Sequence, residues 1–153
     1  MWGNSPTGNS PDNTPGNPSN SSPADSPDST QPPQNYKALM GSTYQQAIAT
    51  METVKTNTLA LQKRSLSLGG YKSSILAAKA TFTSDLNFAR SHPPADSKLN
   101  APYQEFIAGI TLASQSMDVV LSGITALNPS SLYAAREMGK TAYSQVTDAY
   151  NHF

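Results

Sequence analysis

The chain has 153 residues, a formal net charge of zero and no cysteine. Its length allows one domain with one core, and the absence of cysteine excludes disulfides, thiolate metal sites and a cysteine nucleophile. Lys and Arg are scattered along the sequence rather than clustered, which argues against a nucleic-acid partner.

Residues 1–35 are predicted to form a disordered tether. Eight of the 12 prolines lie there among Ser, Asn, Asp, Thr and Gly, together with three aspartates and no Lys or Arg. Such a segment buries too little apolar surface to offset the entropy lost on ordering, and frequent prolines interrupt both helices and sheets.

The composition of this tether resembles the segment that follows the lipid-modified cysteine of prokaryotic surface lipoproteins. In that class a Ser-, Pro-, Asn-, Asp- and Gly-rich stretch separates a membrane anchor from a folded domain, and this chain has Met1 where the cysteine would stand. The resemblance implies that Met1 occupies a lipid-anchor position and that the membrane is contacted only through a removed anchor. It also implies an extracytoplasmic protein, either membrane-anchored or secreted.

Residues 36–153 contain four amphipathic patterns, predicted as helices at about 36–67, 71–91, 101–127 and 130–153. The first has Asn35 as its predicted N-cap and Gly69-Gly70 as its predicted stop. Its seam consists of Met40, Tyr44, Ala47, Met51, Val54, Thr58 and Leu61. The second has a seam formed by Tyr71, Ile75, Ala78, Phe82, Asp85 or Leu86, and Ala89. For Asp85 we expect a boundary position that is solvated or paired with a Lys, and the alternative is a buried functional carboxylate.

The third pattern is the most regular. Its apolar residues follow at steps of three and four, the spacing of a single buried seam: Tyr103, Phe106, Ile110, Ala113, Met117, Val120, Ile124 and Leu127. Beside this seam lies a row of small residues, Gly109, Ser116 and Gly123. The row favours close packing against the fourth helix, with Gly139, or Ala135 and Ala142, as the counterpart; the alternative is a groove for a ligand or a partner helix.

Asn128 and Pro129 predict the start of the fourth helix, as its cap and first residue. Its seam consists of Leu132, Ala135, Gly139, Tyr143, Val146, Tyr150 and Phe153. Four such segments with short connections predict an all-α fold. The expected architecture is an up-down-up-down antiparallel four-helix bundle preceded by a disordered N-terminal tail.

The sequence contains few residues suited to catalysis or metal binding. It has two histidines, His92 and His152, and three glutamates, and we find no catalytic constellation, metal-ligand set or phosphate-binding loop among them. We therefore expect a non-enzymatic protein without a cofactor.

Five tyrosines at seam positions are candidates for a cavity or for the core: Tyr44, Tyr71, Tyr103, Tyr143 and Tyr150. Such rings commonly pack at a core edge with a solvated hydroxyl, but they can also line a small-molecule cavity. The sequence thus predicts a structural or protein-interaction role, with an unknown protein partner or self-association, for a bundle held off a membrane anchor by the tether. The alternative is a small-molecule-binding or sensory bundle with a Tyr-lined cavity.

Overall fold

The computed structural model describes residues 35–153, and the rest of the predicted tether, including Met1, lies outside the described residues. The described residues form four α-helices and a short 3-10 turn: α1 Tyr36–Gln62, α2 Leu68–Ser91, the turn Ser97–Leu99, α3 Asn100–Ala126 and α4 Pro129–Asn151. No strand occurs within residues 35–153. The predicted all-α four-helix fold is confirmed.

Helices that follow one another in the chain pack side by side. In the pair α1 and α2, the Tyr36 hydroxyl donates a hydrogen bond to the His92 carbonyl oxygen at 2.7 Å, and Thr58 and Tyr71 share a hydrogen bond of 2.9 Å. These two contacts join the start of each helix to the end of the other, as antiparallel neighbours require. The most extensive interface is between α3 and α4, and the contact of α4 with α1 is much smaller.

Two predicted helix caps are confirmed. The Asn35 side chain accepts a hydrogen bond from the Ala38 N–H at 3.4 Å, and the Asn128 side chain accepts one from the Ser130 N–H at 3.0 Å, with Pro129 as the first residue of α4. The Asn128 cap pairs a backbone N–H of the first turn of α4, whereas the Ala38 N–H also donates to the Asn35 carbonyl oxygen at 2.7 Å.

The prediction that the first helix reaches residue 67 and stops at Gly69-Gly70 is wrong. The helix ends at Gln62, and Arg64 takes the left-handed backbone conformation with φ of 58°. Ser67 then caps α2 by accepting a hydrogen bond from the Gly70 N–H at 3.0 Å. The two glycines therefore lie inside the first turn of α2.

The core is built on the predicted seams of α2 and α3. Every predicted seam residue of α2, from Tyr71 to Ala89, is buried, and the seam of α3 is buried from Tyr103 to Val120. The predicted place of Leu127 in that seam is wrong, because this residue caps α3 in a left-handed conformation with φ of 49° and is 82% exposed.

The stretch Ser97–Ala126 is the one segment of residues 35–153 with the length and apolar composition of a membrane-spanning helix. In the fold, α3 contacts both α2 and α4. Its apolar surface is therefore used in part for packing inside the bundle.

The seams of α1 and α4 are covered only in part. Met51, Val54 and Leu61 in the second half of α1 are half-buried, while Leu132 and Tyr143 of α4 are exposed. These residues face a space between the two helices.

Candidate functional site

The contact between α1 and α4 is concentrated at one end of the bundle. The rings of Tyr44 and Tyr150 are stacked with centroids 3.9 Å apart, and Tyr36 meets Phe153 edge-on at 4.9 Å. The Lys37 ammonium lies 5.0 Å from the centroid of the Tyr150 ring. Beyond this cluster the two helices separate and leave an open cleft.

This cleft, called here the α1–α4 cleft, has a volume of about 720 Å³ and is lined by residues of all four helices. Its floor consists of buried residues: Tyr71, Phe82, Ala113, Ser116, Met117, Val120 and Ala135. Its walls are half-buried: Met51, Val54, Thr58, Leu61 and Gly139. Its rim is exposed: Glu52, Lys55, Leu59, Gln62, Leu132, Tyr133, Arg136, Lys140 and Tyr143. The cleft thus combines an apolar interior with a charged and aromatic rim.

The small-residue row of α3 accounts for the shape of the interface with α4. A Cβ atom added at Gly109 would lie 2.6 Å from Val146 Cγ2, and one added at Gly123 would lie 3.0 Å from Ser131 Cβ. The two backbones are therefore very close at these levels. Ser116, between the two glycines, lines the floor of the cleft instead.

Gly139 was a predicted counterpart of that row, but it has a different environment. No atom lies within 4 Å of a Cβ atom built at this position, and Gly139 lines the wall of the cleft. The alternative counterparts, Ala135 and Ala142, are buried. Gly139 therefore borders open space rather than a packed neighbour.

The hydroxyl groups along the interior of the cleft already donate hydrogen bonds within the protein. Thr58 donates to the Val54 carbonyl oxygen at 2.7 Å, so Tyr71 is the donor in its 2.9 Å bond to Thr58. Burial raises the pKa of the Tyr71 hydroxyl, which keeps it protonated, and the bond to Thr58 opposes this less strongly. Ser116 donates to the Ala113 carbonyl oxygen at 2.7 Å. These hydroxyls can therefore accept hydrogen bonds from a ligand but have no free proton to donate.

The charges on the rim are mostly paired within their own helices. Lys55 lies 3.3 Å from a Glu52 carboxylate oxygen, and Lys140 lies 2.8 Å from one of Glu137. The hydrogen bond from Lys140 lowers the pKa of Glu137. Arg136 has no carboxylate within 4.0 Å among residues 35–153. The charge of Arg136 also lowers the pKa of Glu137, although less than Lys140 does, so the rim carries one guanidinium that lies near a carboxylate without forming an ion pair with it.

The five candidate tyrosines occupy different places. Tyr71 lies on the floor of the cleft and Tyr143 on its rim, while Tyr44 and Tyr150 stack at the closed end. Tyr103 is buried away from the cleft, and its hydroxyl donates to a carbonyl oxygen at the end of α2 at 3.2 Å. The fold thus brings two of the five to the cleft.

Sequence inspection missed a further tyrosine and the cations beside it. Tyr133 is 68% exposed and lines the rim with Arg136 and Lys140. Tyr133, Arg136, Lys140 and Tyr143 follow at steps of three, four and three, which places them along one face of α4. This spacing is the feature of the sequence from which the shared face of these four residues could have been predicted.

The prediction that Asp85 is solvated or paired with a Lys is wrong. The residue is 3% exposed, and its Oδ2 atom has no hydrogen-bond partner among the described residues. Burial raises the pKa of the carboxyl to about 7. Asp85 does not line the cleft, so its influence is on the stability of the bundle.

The two histidines make local contacts with backbone. The Nδ1 atom of His92 lies 2.8 Å from the Phe88 carbonyl oxygen, and that of His152 lies 2.6 Å from the Asp148 carbonyl oxygen. Across the part of the chain that the structure describes, no three His, Asp or Glu side chains come together as a metal site would need.

Comparisons of the chain with protein-family models, with curated proteins and with solved structures gave no match. The functional interpretation therefore depends on the geometry and chemistry of the α1–α4 cleft.

Proposed function

We propose that this protein is a non-enzymatic binding bundle that holds a small apolar molecule in the α1–α4 cleft. The observation that carries the proposal is a cleft of about 720 Å³ whose floor reaches the fully buried Phe82 side chain. Small-molecule sites are commonly about 300–1,000 Å³ and are lined mainly by apolar and aromatic groups with a few polar ones. Both the volume and the lining of this cleft are of that kind.

The closed end of the cleft favours a small molecule over a partner helix. An incoming helix is about 10 Å wide and needs a groove that continues along its axis. Here the stacked rings of Tyr44 and Tyr150 fill the space between α1 and α4 two helical turns from Met51 and Tyr143, which line the cleft. A compact ligand does not need the groove to continue past that point.

The side chains of the interior support an adaptable apolar site. Met51 and Met117 line the wall and the floor, and methionine is unbranched and flexible enough to fit ligands of different outline. Tyr71 and Phe82 add flat aromatic surface to the floor. An aromatic or aliphatic body would contact these rings and would remove from water the apolar surface that Met51, Val54, Leu61 and Leu132 still expose.

Gly139 gives a second line of support. A glycine inside a helix costs roughly 1 kcal/mol relative to alanine, and no neighbouring atom prevents a side chain here. Close packing within residues 35–153 therefore does not require a glycine at this position. The effect of the glycine is to leave the wall of the cleft free for a ligand.

Titration of the full chain with N-phenylnaphthylamine, a neutral apolar fluorophore, tests the proposal. We expect saturable binding by the wild-type protein and at least about tenfold weaker binding by Gly139→Leu, because the new side chain enters the cleft. Gly69→Leu is the matched control: that glycine is also in a helix with open space around it, but it does not line the cleft.

Urea unfolding of the same proteins separates loss of the site from loss of the fold. Gly139→Leu is expected to be as stable as the wild type or more stable, since it removes a helix-interior glycine. Absence of saturable binding by the wild-type protein, or equal affinity of Gly139→Leu and the wild type, would show that the proposal is wrong.

The structural or protein-interaction role, at a prokaryotic cell surface, stays a prediction from the sequence. It depends on the resemblance of residues 1–35 to lipoprotein tethers, almost all of which lie outside the described residues. Light scattering coupled to size-exclusion chromatography would test self-association, and a strictly monomeric protein would argue against that form of the prediction.

A further inference from the structure

We infer, building on the proposed binding function, that the ligand is an amphipathic anion with its charged end at Arg136 and its apolar body on the floor of the α1–α4 cleft. The expected class is a monomeric carboxylate with an aliphatic or aromatic body, such as a free fatty acid. Two features of the cleft lead to this orientation.

The first feature is the chemistry of the interior. The hydroxyl groups of Thr58, Tyr71 and Ser116 already donate hydrogen bonds to other protein atoms, and no Lys, Arg or His belongs to the floor or walls. An anion placed there would lose its hydration and gain neither a donor nor a positive charge. The charged end of a ligand is therefore excluded from the interior, whereas an apolar body is accepted.

The second feature is the charge at the rim. Lys55 and Lys140 are each paired with a glutamate of their own helix, so Arg136 is the rim cation without an ion pair among the described residues. A guanidinium presents parallel N–H groups that match a carboxylate or sulfonate. Arg136 is thus placed to receive the charged end of a molecule whose body lies below it.

Two aromatic residues flank this position on the same face of α4. Tyr133 lies one turn before Arg136, and Tyr143 lies two turns after it, both on the rim. Their rings can cover the part of the ligand between the buried body and the exposed charge. From the floor outward, the cleft presents apolar side chains, then the two rim tyrosines, then Arg136. A molecule that is apolar at one end and anionic at the other matches this order.

Two fluorophores with the same rings provide the test. Anilinonaphthalene sulfonate carries a sulfonate that N-phenylnaphthylamine lacks, so the ratio of their affinities isolates the charge. At low ionic strength we expect the wild-type protein to bind the sulfonate about two- to fivefold more tightly, the range of an exposed ion pair. Added salt should reduce this ratio because exposed charges are screened.

Arg136→Gln should abolish the preference for the sulfonate while leaving the affinity for the neutral fluorophore unchanged. Arg136→Lys should restore part of the preference. Arg90→Gln is the matched control, since Arg90 is exposed in the last turn of α2 and does not line the cleft. It should keep the wild-type ratio.

Competition with laurate and dodecanol, which share a chain length, extends the test to the expected ligand class. Laurate should displace the sulfonate fluorophore at lower concentration than dodecanol, and Arg136→Gln should remove that difference. Equal affinities of the two fluorophores for the wild-type protein, or a preference that survives in Arg136→Gln, would overturn the inference and leave the binding function standing. Failure of both fluorophores to bind would overturn the binding function itself.

Discussion

The rings of Tyr44 in α1 and Tyr150 in α4 stack with centroids 3.9 Å apart and within 4° of parallel, and beyond this pair the two helices separate. The Lys37 ammonium over the Tyr150 ring and a hydrogen bond of 3.5 Å from Lys37 to the Asn151 carbonyl oxygen lie at the same end. The stack therefore joins the first helix to the last and confines the α1–α4 cleft to the part of the two helices beyond it.

The stacked pair should be energetically coupled. We expect Tyr44→Ala and Tyr150→Ala each to lower the free energy of unfolding by about 1–3 kcal/mol, because both rings are half-buried. The double variant should lose less than the sum of the two, by about 0.5–1.5 kcal/mol, since aromatic contact adds to burial. Urea unfolding of the four proteins measures this coupling.

Tyr133 provides the control for that cycle. It is largely exposed on the rim and does not stack on Tyr150, so Tyr133→Ala and Tyr150→Ala should be additive. Additivity of the Tyr44 and Tyr150 substitutions as well would contradict the proposed coupling.

Two helix glycines should respond to alanine in opposite directions. Gly109→Ala places a methyl group 2.6 Å from Val146 Cγ2 and 3.1 Å from the Val146 backbone nitrogen, so we expect a loss of about 1–3 kcal/mol. Gly139→Ala meets no atom within 4 Å and should gain up to about 1 kcal/mol from helix propensity. Thermal unfolding monitored by circular dichroism shows whether each variant is more or less stable than the wild type. A stabilised Gly109→Ala variant would mean that the backbones of α3 and α4 are not in close contact at Gly109.

The buried carboxyl of Asp85 should make stability depend on pH. Its pKa in the folded protein is raised to about 7 from 3.8, so the folded state holds the proton more tightly than the unfolded chain. The stabilising contribution of the protonated carboxyl is complete below about pH 4 and is lost as the pH rises through about 7. Asp85→Asn, which stays neutral, should be more stable than the wild type at pH 8 by about 1–3 kcal/mol.

Chemical unfolding at a series of pH values checks this prediction. The advantage of Asp85→Asn should shrink as the pH falls from 8 to 4. Asp118→Asn is the control, since Asp118 is exposed and paired with Lys79 on the surface. Parallel pH profiles of the wild type and Asp85→Asn would contradict the raised pKa.

The hydrogen bond between Tyr71 and Thr58 should contribute modestly to stability. Tyr71→Phe removes the donor, while Thr58 keeps its bond to Val54, so we expect a loss of about 0.5–1.5 kcal/mol. Tyr143→Phe, at an exposed rim position without a side-chain hydrogen bond in residues 35–153, should cause no measurable loss. Equilibrium unfolding in urea distinguishes the two variants.

The helices and the main core could be predicted because their signals are local or periodic. Spacing at three and four residues identified the buried faces of α2 and α3, and the side chains of Asn35 and Asn128 identified two helix starts. The end of α1 was missed because Arg64, rather than a glycine, takes the left-handed conformation that ends the helix.

The cleft could not be predicted from the same periodicity. An apolar stripe shows which face of a helix avoids water, but it does not show whether a neighbour covers that face completely. Met51 and Leu61 continue the stripe of Met40 without a break, yet only Met40 lies fully buried. The difference is set by the separation of α1 from α4, which is a property of the assembled helices.

Asp85 was misjudged for a related reason. Its position on the apolar face was visible in the sequence, but the expected Lys partner depended on which side chains surround it in three dimensions. The only cause of its raised pKa is burial, with no charged neighbour contributing. A sequence pattern cannot report the absence of a partner.

The uneven contact of α4 with its two neighbours has a consequence for the motions of the backbone. In its second half, α1 borders the cleft and is not packed against α4, whereas the glycines of α3 hold that helix close to α4. The amide protons of residues 51–62 should therefore exchange with deuterium before those of α3. An occupant of the cleft would slow exchange in this segment selectively. Deuterium uptake there would then report occupancy directly, without any fluorophore or label.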